Sequence, residues 1–266
     1  MMIGTPPWEP VQNLRYQVIP DSMAGEGGAI KLEWEPQYYQ SSSSNNGGFF
    51  SCDKQKEEVE YVIYVDDKEI GRTDSFFYYV YTATKVIGVS GVLGESESHR
   101  ETIDLAIVET PYLEVWSIND PSPEHPSGFG FIENGTATAY STFNNSDQVD
   151  IYLGIDAENT PCFISPHIHP PNPLNTEHNS TCQIRAIYDS LKIVPAPTNE
   201  YFKYETPIQN NGVYGFWLDD DGVYDTTGHF GKIYVTALTE PSSIYQATLK
   251  LGYQLVSGLR WVVTSP

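Results

Sequence analysis

The residues best equipped for chemistry lie in two short runs. The first is Asp219-Asp220-Asp221-Gly222-Val223-Tyr224-Asp225. Ca²⁺ takes about six to eight hard oxygens, and an Asp-x-Asp-Gly turn aims several carboxylates and a carbonyl inward. Asp219, Asp221 and Asp225 would be the ligands. The run lacks the closing Glu and flanking helices of an EF-hand, so a Ca²⁺ site and a solvated hairpin loop are the two readings. The second run is His167-Ile168-His169, with His178 further on. Side chains two apart in an extended segment project to one side, which suits Zn²⁺ or Cu²⁺. The sequence assigns no third ligand, and exposed loop histidines have the same pattern. No cofactor other than Ca²⁺ is indicated.

For hydrolysis a pair of placed carboxylates is required. Glu33, Glu35 and Glu60 instead fall where an alternating strand points them to solvent. No nucleophile elbow, phosphate-binding loop or dinucleotide fingerprint occurs, and the chain reads as a non-enzyme. Of three cysteines, Cys162 and Cys182 bracket an irregular Pro- and Asn-rich stretch. A disulfide there would contribute roughly 3 kcal/mol by closing a loop, leaving Cys52 over. Asn134, Asn144 and Asn179 begin glycosylation sequons in turn-rich segments. Trp217, Tyr214 and Tyr224 offer rings for stacking on a sugar or contacting another protein, or else for an ordinary core.

What must position these residues is a set of short strands. The chain has 266 residues, enough for two domains, and 21 Gly, 19 Pro and 19 Tyr suit strands joined by tight turns. Glu58–Thr73 predicts a hairpin: Val59, Tyr61, Ile63 and Val65 share one face, and Asp66-Asp67 turns the chain into Lys68–Ile70. Ala29–Glu35 alternates cleanly, with Ile30, Leu32 and Trp34 inward. Phe76–Tyr81, Lys85–Ser90 and Thr102–Val108 follow as strands, and Gln40–Gly48 is an uncored Ser/Asn/Gly insertion. Glu109-Thr110-Pro111 is the expected junction, giving domains 1–110 and 111–266. Beyond it, Tyr112–Ile118, Phe129–Phe131, Gly135–Tyr140, Val149–Leu153, Cys182–Tyr188, Val213–Leu218, Gly231–Leu238, Ile244–Tyr253 and Gly258–Val263 read as strands, with Glu158–Asn179 irregular. The expected fold class is all-β, two tandem β-sandwiches.

The first half resembles a fibronectin type III domain. The residues that carry this are the Pro-flanked first strand ending in Asn13-Leu14, Leu32-x-Trp34, the stretch Tyr61–Gly71, and Gly94-Glu95-Ser96 in the last hairpin loop. The resemblance implies a seven-stranded, Ig-like sandwich in an extracellular setting, and no activity. Phe129–Val263 resembles bacterial surface domains with a glycine-aromatic opening, an Asp-x-Tyr strand and a closing block like Gly228–Val235.

With 35 acidic and 14 basic residues, the formal net charge is -21. Such a surface repels phosphate backbones and anionic lipid heads, so nucleic acid is not an expected partner. No stretch has the apolar length of a membrane helix. Met1–Pro7 shows no basic and apolar leader pattern, and the expectation is a mature or truncated chain, extracellular or at a cell surface. The expected role is structural or adhesive, as a self-assembling filament or surface-layer subunit that contacts its copies through the end segments Met1–Leu14 and Leu251–Val263. The alternative is a carbohydrate-binding accessory module or adhesin.

Overall fold

The computed structural model describes residues 9–24, 27–36, 59–166, 181–197, 202–219, 223–240 and 243–264. Cys52, His167, His169, His178, Asn179 and Asp221 lie outside the described residues. The protein is nearly all β, with a one-turn helix α1 (Asp21–Ala24) and a 3₁₀ turn over Ser146–Gln148. Two compact units are formed, one of Met1–Ile19 with Ala29–Leu105, the other of Pro20–Gly28 with Ala106–Pro266.

The first unit contains β1 (Gln12–Ile19), β2 (Ala29–Glu35), β3 (Glu60–Val65), β4 (Lys68–Thr73), β5 (Phe77–Val80), β6 (Val86–Leu93), β7 (Ser96–Glu97) and β8 (Glu101–Asp104). Its antiparallel sheets run β1-β2-β5 and β4-β3-β6, with both β7 and β8 pairing to β6. The β3–β4 hairpin turns where expected, with Asp66 at φ 45° and Asp67 at φ 67°, the two left-handed residues that match a tight turn to the twist of its strands. Ile30, Leu32 and Trp34 point inward, and the Trp34 ring meets Tyr61 at 5.1 Å between centroids. Val62 and Tyr64, expected on an outer face, are buried as well. A polar cluster covers them. Tyr64 Oη and Ser90 Oγ each donate to Glu97 Oε1 at 2.5 Å, and the Arg100 guanidinium lies 3.5 Å over the Tyr64 ring.

The second unit contains β9 (Val108–Trp116), β10 (Gly128–Phe131), β11 (Ala137–Tyr140), β12 (Ile151–Ile155), β13 (Pro161–Ile164), β14 (Thr181–Ala186), β15 (Glu205–Pro207), β16 (Val213–Asp219), β17 (His229–Thr239) and β18 (Gln246–Tyr253). Two five-stranded sheets form, β11-β10-β12-β13-β15 and β14-β16-β17-β18-β9. Phe129, Leu153 and Phe163 from one and Phe216, Ile233 and Leu249 from the other make a common core. The outer faces are also covered: Trp217 and Phe230 pack with Val194, Phe202 and Val262, while Tyr152, Cys162 and Ile164 pack with Val149. This explains why all seven residues of β16 are buried, and why the sequence from Val213 to Leu218 is a run without charged residues rather than an alternation.

Four expectations are corrected. Glu109-Thr110-Pro111 is not a spacer but part of β9, paired to β18, where Thr110 Oγ1 accepts from the Ala137 amide at 2.9 Å. Pro161–Ile164 is a buried strand inside the stretch read as irregular. Gly258–Val263 forms no strand beyond a lone bridge between Trp261 and Ile193, because Gly258 at φ 72° turns the chain out of extended geometry. Leu251 lies on β18 between two neighbours, and Leu259, Trp261 and Val262 are core, so the described residues of Leu251–Val263 are packed within this unit rather than held free as a strand to donate.

Candidate functional site

A concavity of about 460 Å³ lies between the turn after β9 and the segment after β11. The first of these loops is pinned at both ends. The Ser117 amide donates to the Tyr245 carbonyl and the Leu153 amide to the Ser127 carbonyl, both at 2.8 Å. Inside it, Asp120 starts an Asx turn, a local fold typical of Asp-Pro-Ser. Its Oδ1 accepts from the Ser122 amide at 2.8 Å, and its Oδ2 lies 2.6 Å from His125 Nδ1. The His125 ring lies parallel to Trp116, 4.4 Å between centroids and 12° between planes. With Nδ1 taken by the carboxylate, Nε2 is left as the neutral ring's acceptor. Burial pushes the Asp120 carboxyl up, but the Ser122 amide and the His125 ring outweigh it, and the net shift is downward.

The opposite wall begins with Ser141, whose Oγ accepts from the Phe143 and Asn144 amides at 3.3 Å. Thr142 Oγ1 and Ser127 Oγ are 2.6 Å apart, and both residues are buried. Phe143 stands at 79% exposure. Phe143 and Asn144, one of the sequon asparagines, both line the cavity, and Asn134 occupies an exposed turn, its Oδ1 accepting from the Thr136 amide. Asp120 and His125 were missed from sequence because their segment shows only a Pro/Ser turn, and Trp116 because it reads as an ordinary residue of the strand Tyr112–Ile118; the Asp-Pro-Ser triplet was the available signal.

A second feature is on β5. Phe77, Tyr79 and Tyr81 alternate outward at 46, 38 and 59% exposure. Their rings follow one another at 6.0 and 6.4 Å. Across the register, Lys31 faces Tyr79 and Glu33 faces Phe77. Glu33 is shared by Lys31 at 2.7 Å and Arg15 at 3.1 Å, so two cations and one anion flank the rings. Glu60 is likewise paired, to Arg72, and Glu35 is exposed at the end of β2.

Apart from Asn144, the expected site residues that are described lie elsewhere and apart. Trp217 and Tyr214 are 1 and 2% exposed, and Tyr224 packs edge-on against Trp217 and Phe230. Trp217 and Tyr214 are core aromatics, because β16 is covered on both faces, and Tyr224 is partly buried against the cluster that contains Trp217. Of the acidic turn, Asp219 is buried and Asp225 exposed, and the hydroxyl of Thr227 reaches both, at 3.2 and 2.7 Å. Cys162 is a free thiol with no bond to Cys182. It points with Tyr152 and Ile164 to the outer face of its sheet, away from the sheet that carries β14, which is why the expected crosslink does not form. Among the described residues, Asp156, Cys162 and Glu205 are the group whose donor atoms, within 4.8 Å of one another, come close enough to share a metal ion. Burial first, then the Asp156 and Glu205 charges, push the thiol up to about 12, so it is protonated at neutral pH and a metal would have to displace that proton.

No protein-family model matches the chain, and no curated protein matches its sequence.

Proposed function

We propose that this chain is a non-enzymatic extracellular or cell-surface protein with a structural or adhesive role, one that associates with copies of itself through the aromatic row of β5. The row of exposed rings on and just after β5, an edge strand among the described residues, carries this reading. A chain at -21 repels its copies except where the local charge is not acidic. Phe77, Tyr79 and Tyr81 meet that condition, flanked as they are by Arg15 and Lys31 against the single Glu33. The strand order β1-β2-β5 against β4-β3-β6-β8 supports the fibronectin type III reading of the first unit, and with it the extracellular setting. Light scattering on the purified chain at rising concentration tests the proposal. Replacing Phe77, Tyr79 and Tyr81 together by Ser is expected to abolish association; a native chain that stays monomeric at every concentration, with and without Ca²⁺, rejects it.

A second reading, a carbohydrate-binding accessory module, is favoured by one observation: the cavity at Asp120 and His125 is lined by hydroxyls and an exposed ring.

A further inference from the structure

In this acidic molecule the Asp120–His125 cavity presents no free charge. Both oxygens of Asp120 are engaged, one by the Ser122 amide and one by the His125 ring, and its side chain is only 7% exposed. Three groups are left with unused capacity. His125 Nε2 has no partner among the described residues, and the ring that carries it is held by Asp120 on one side and Trp116 on the other. Ser127 and Thr142 bring two hydroxyl protons to one hydrogen bond, so one proton has no acceptor among the described residues although both side chains belong to residues at least nine-tenths buried. The Phe143 ring is almost wholly exposed.

We infer that this cavity is a binding site for a neutral saccharide, which rests on the glycan-binding reading and gives it a place and a ligand class. A sugar hydroxyl donates to Nε2, a second oxygen accepts the spare proton of the Ser127–Thr142 pair, and the C–H face of the ring packs on Phe143. The volume of about 460 Å³ falls in the range of small-molecule sites. An anion would meet Asp120 and the field of a chain at -21. A wholly apolar ligand would leave the buried hydroxyl proton unpaired, at the cost of a lost hydrogen bond.

Saturation-transfer NMR and calorimetry on the full chain test this, with glucose, galactose, mannose, N-acetylglucosamine and their disaccharides as probes and glucuronate as the anionic control. At least one neutral probe is expected to bind, and better than glucuronate. Phe143→Ala, at an exposed position that carries no fold risk, is expected to weaken binding by about tenfold. Thr142→Val and His125→Ala are expected to weaken it too. A glycan array with the same variants separates the two levels of the argument. Binding that persists undiminished in Phe143→Ala and His125→Ala overturns the cavity while sparing the glycan-binding reading. No binding to any probe or array glycan overturns both, and tighter binding of glucuronate overturns the neutral ligand class.

Discussion

The thiol of Cys162 and the phenol of Tyr152 lie in one buried layer on the outer face of β12 and β13, close to Glu205. Burial first, then the Glu205 charge, push Tyr152 from 10.0 up to about 12, and Cys162 rises from 9.0 to about 12 for the reasons given above. For a raised folded-state value the sign is fixed: the stabilisation is complete below the unfolded value and is lost as pH rises toward the folded one. Denaturant midpoints are therefore expected to be level from neutral pH to about pH 9 and to fall between about pH 9 and pH 12. Tyr152→Phe removes one of the two groups and should shallow that fall; an unchanged slope would locate the alkaline transition elsewhere. The same burial predicts that Cys162 resists iodoacetamide in the native chain and reacts once it is unfolded, read by peptide mapping.

At the scale of elements, the excursion Pro20–Gly28 between β1 and β2 belongs to the second unit rather than the first. Asp21, in the first turn of α1, accepts from Arg260 Nη2 at 2.6 Å, and Trp261 Nε1 donates to the Gly27 carbonyl at 3.2 Å. Arg260 is 2% exposed and gives its other terminal nitrogen to the Val194 carbonyl. Removing one partner of a buried ion pair leaves an uncompensated charge. Asp21→Ala is thus expected to destabilise the second unit by about 3 kcal/mol, measured by urea unfolding; a loss no larger than that of an exposed pair, about 0.5 kcal/mol, would count against it. None of this was legible in the sequence, where Asp21–Gly28 is a turn-rich gap and Gly258–Val263 an apolar run of strand character. An apolar run reports burial, and here burial is of a coil that fills the core with Leu259, Trp261 and Val262. The β3–β4 hairpin and the Ile30-x-Leu32-x-Trp34 face were legible because local period and turn chemistry decide them. The cavity was not. Trp116, His125 and Thr142 are brought together by pairing of distant strands, and no local pattern encodes their meeting.

For the whole molecule, the consequence is where the chain can be cut. The sequence placed the boundary at the Pro following Thr110, a composition signal, whereas β9 carries Val108, Glu109 and Thr110 as ladder residues against β18, with Pro111 in the bulge that follows, and Ile107 already belongs to the core of the second unit. A fragment 111–266 would thus lose three residues of its own strand, together with Ile107 and the whole of Pro20–Gly28. Lys250, paired with Glu109 at 3.3 Å, and Arg260, paired with Asp21, would both be left without their carboxylates. The second loss weighs far more, since the Lys250 side chain is 39% exposed and Arg260 is 2%. Fragment 106–266 restores the strand but not the excursion. The expected order of thermal stability for the second unit is full chain, then 106–266, then 111–266, followed by far-UV circular dichroism. Adding a peptide of residues 19–29 to fragment 106–266 should raise its melting temperature, by mass action, as the peptide concentration rises. A fragment 111–266 that melts at the same temperature as the unit in the full chain would show that neither β9's first residues nor the excursion stabilises the second sandwich.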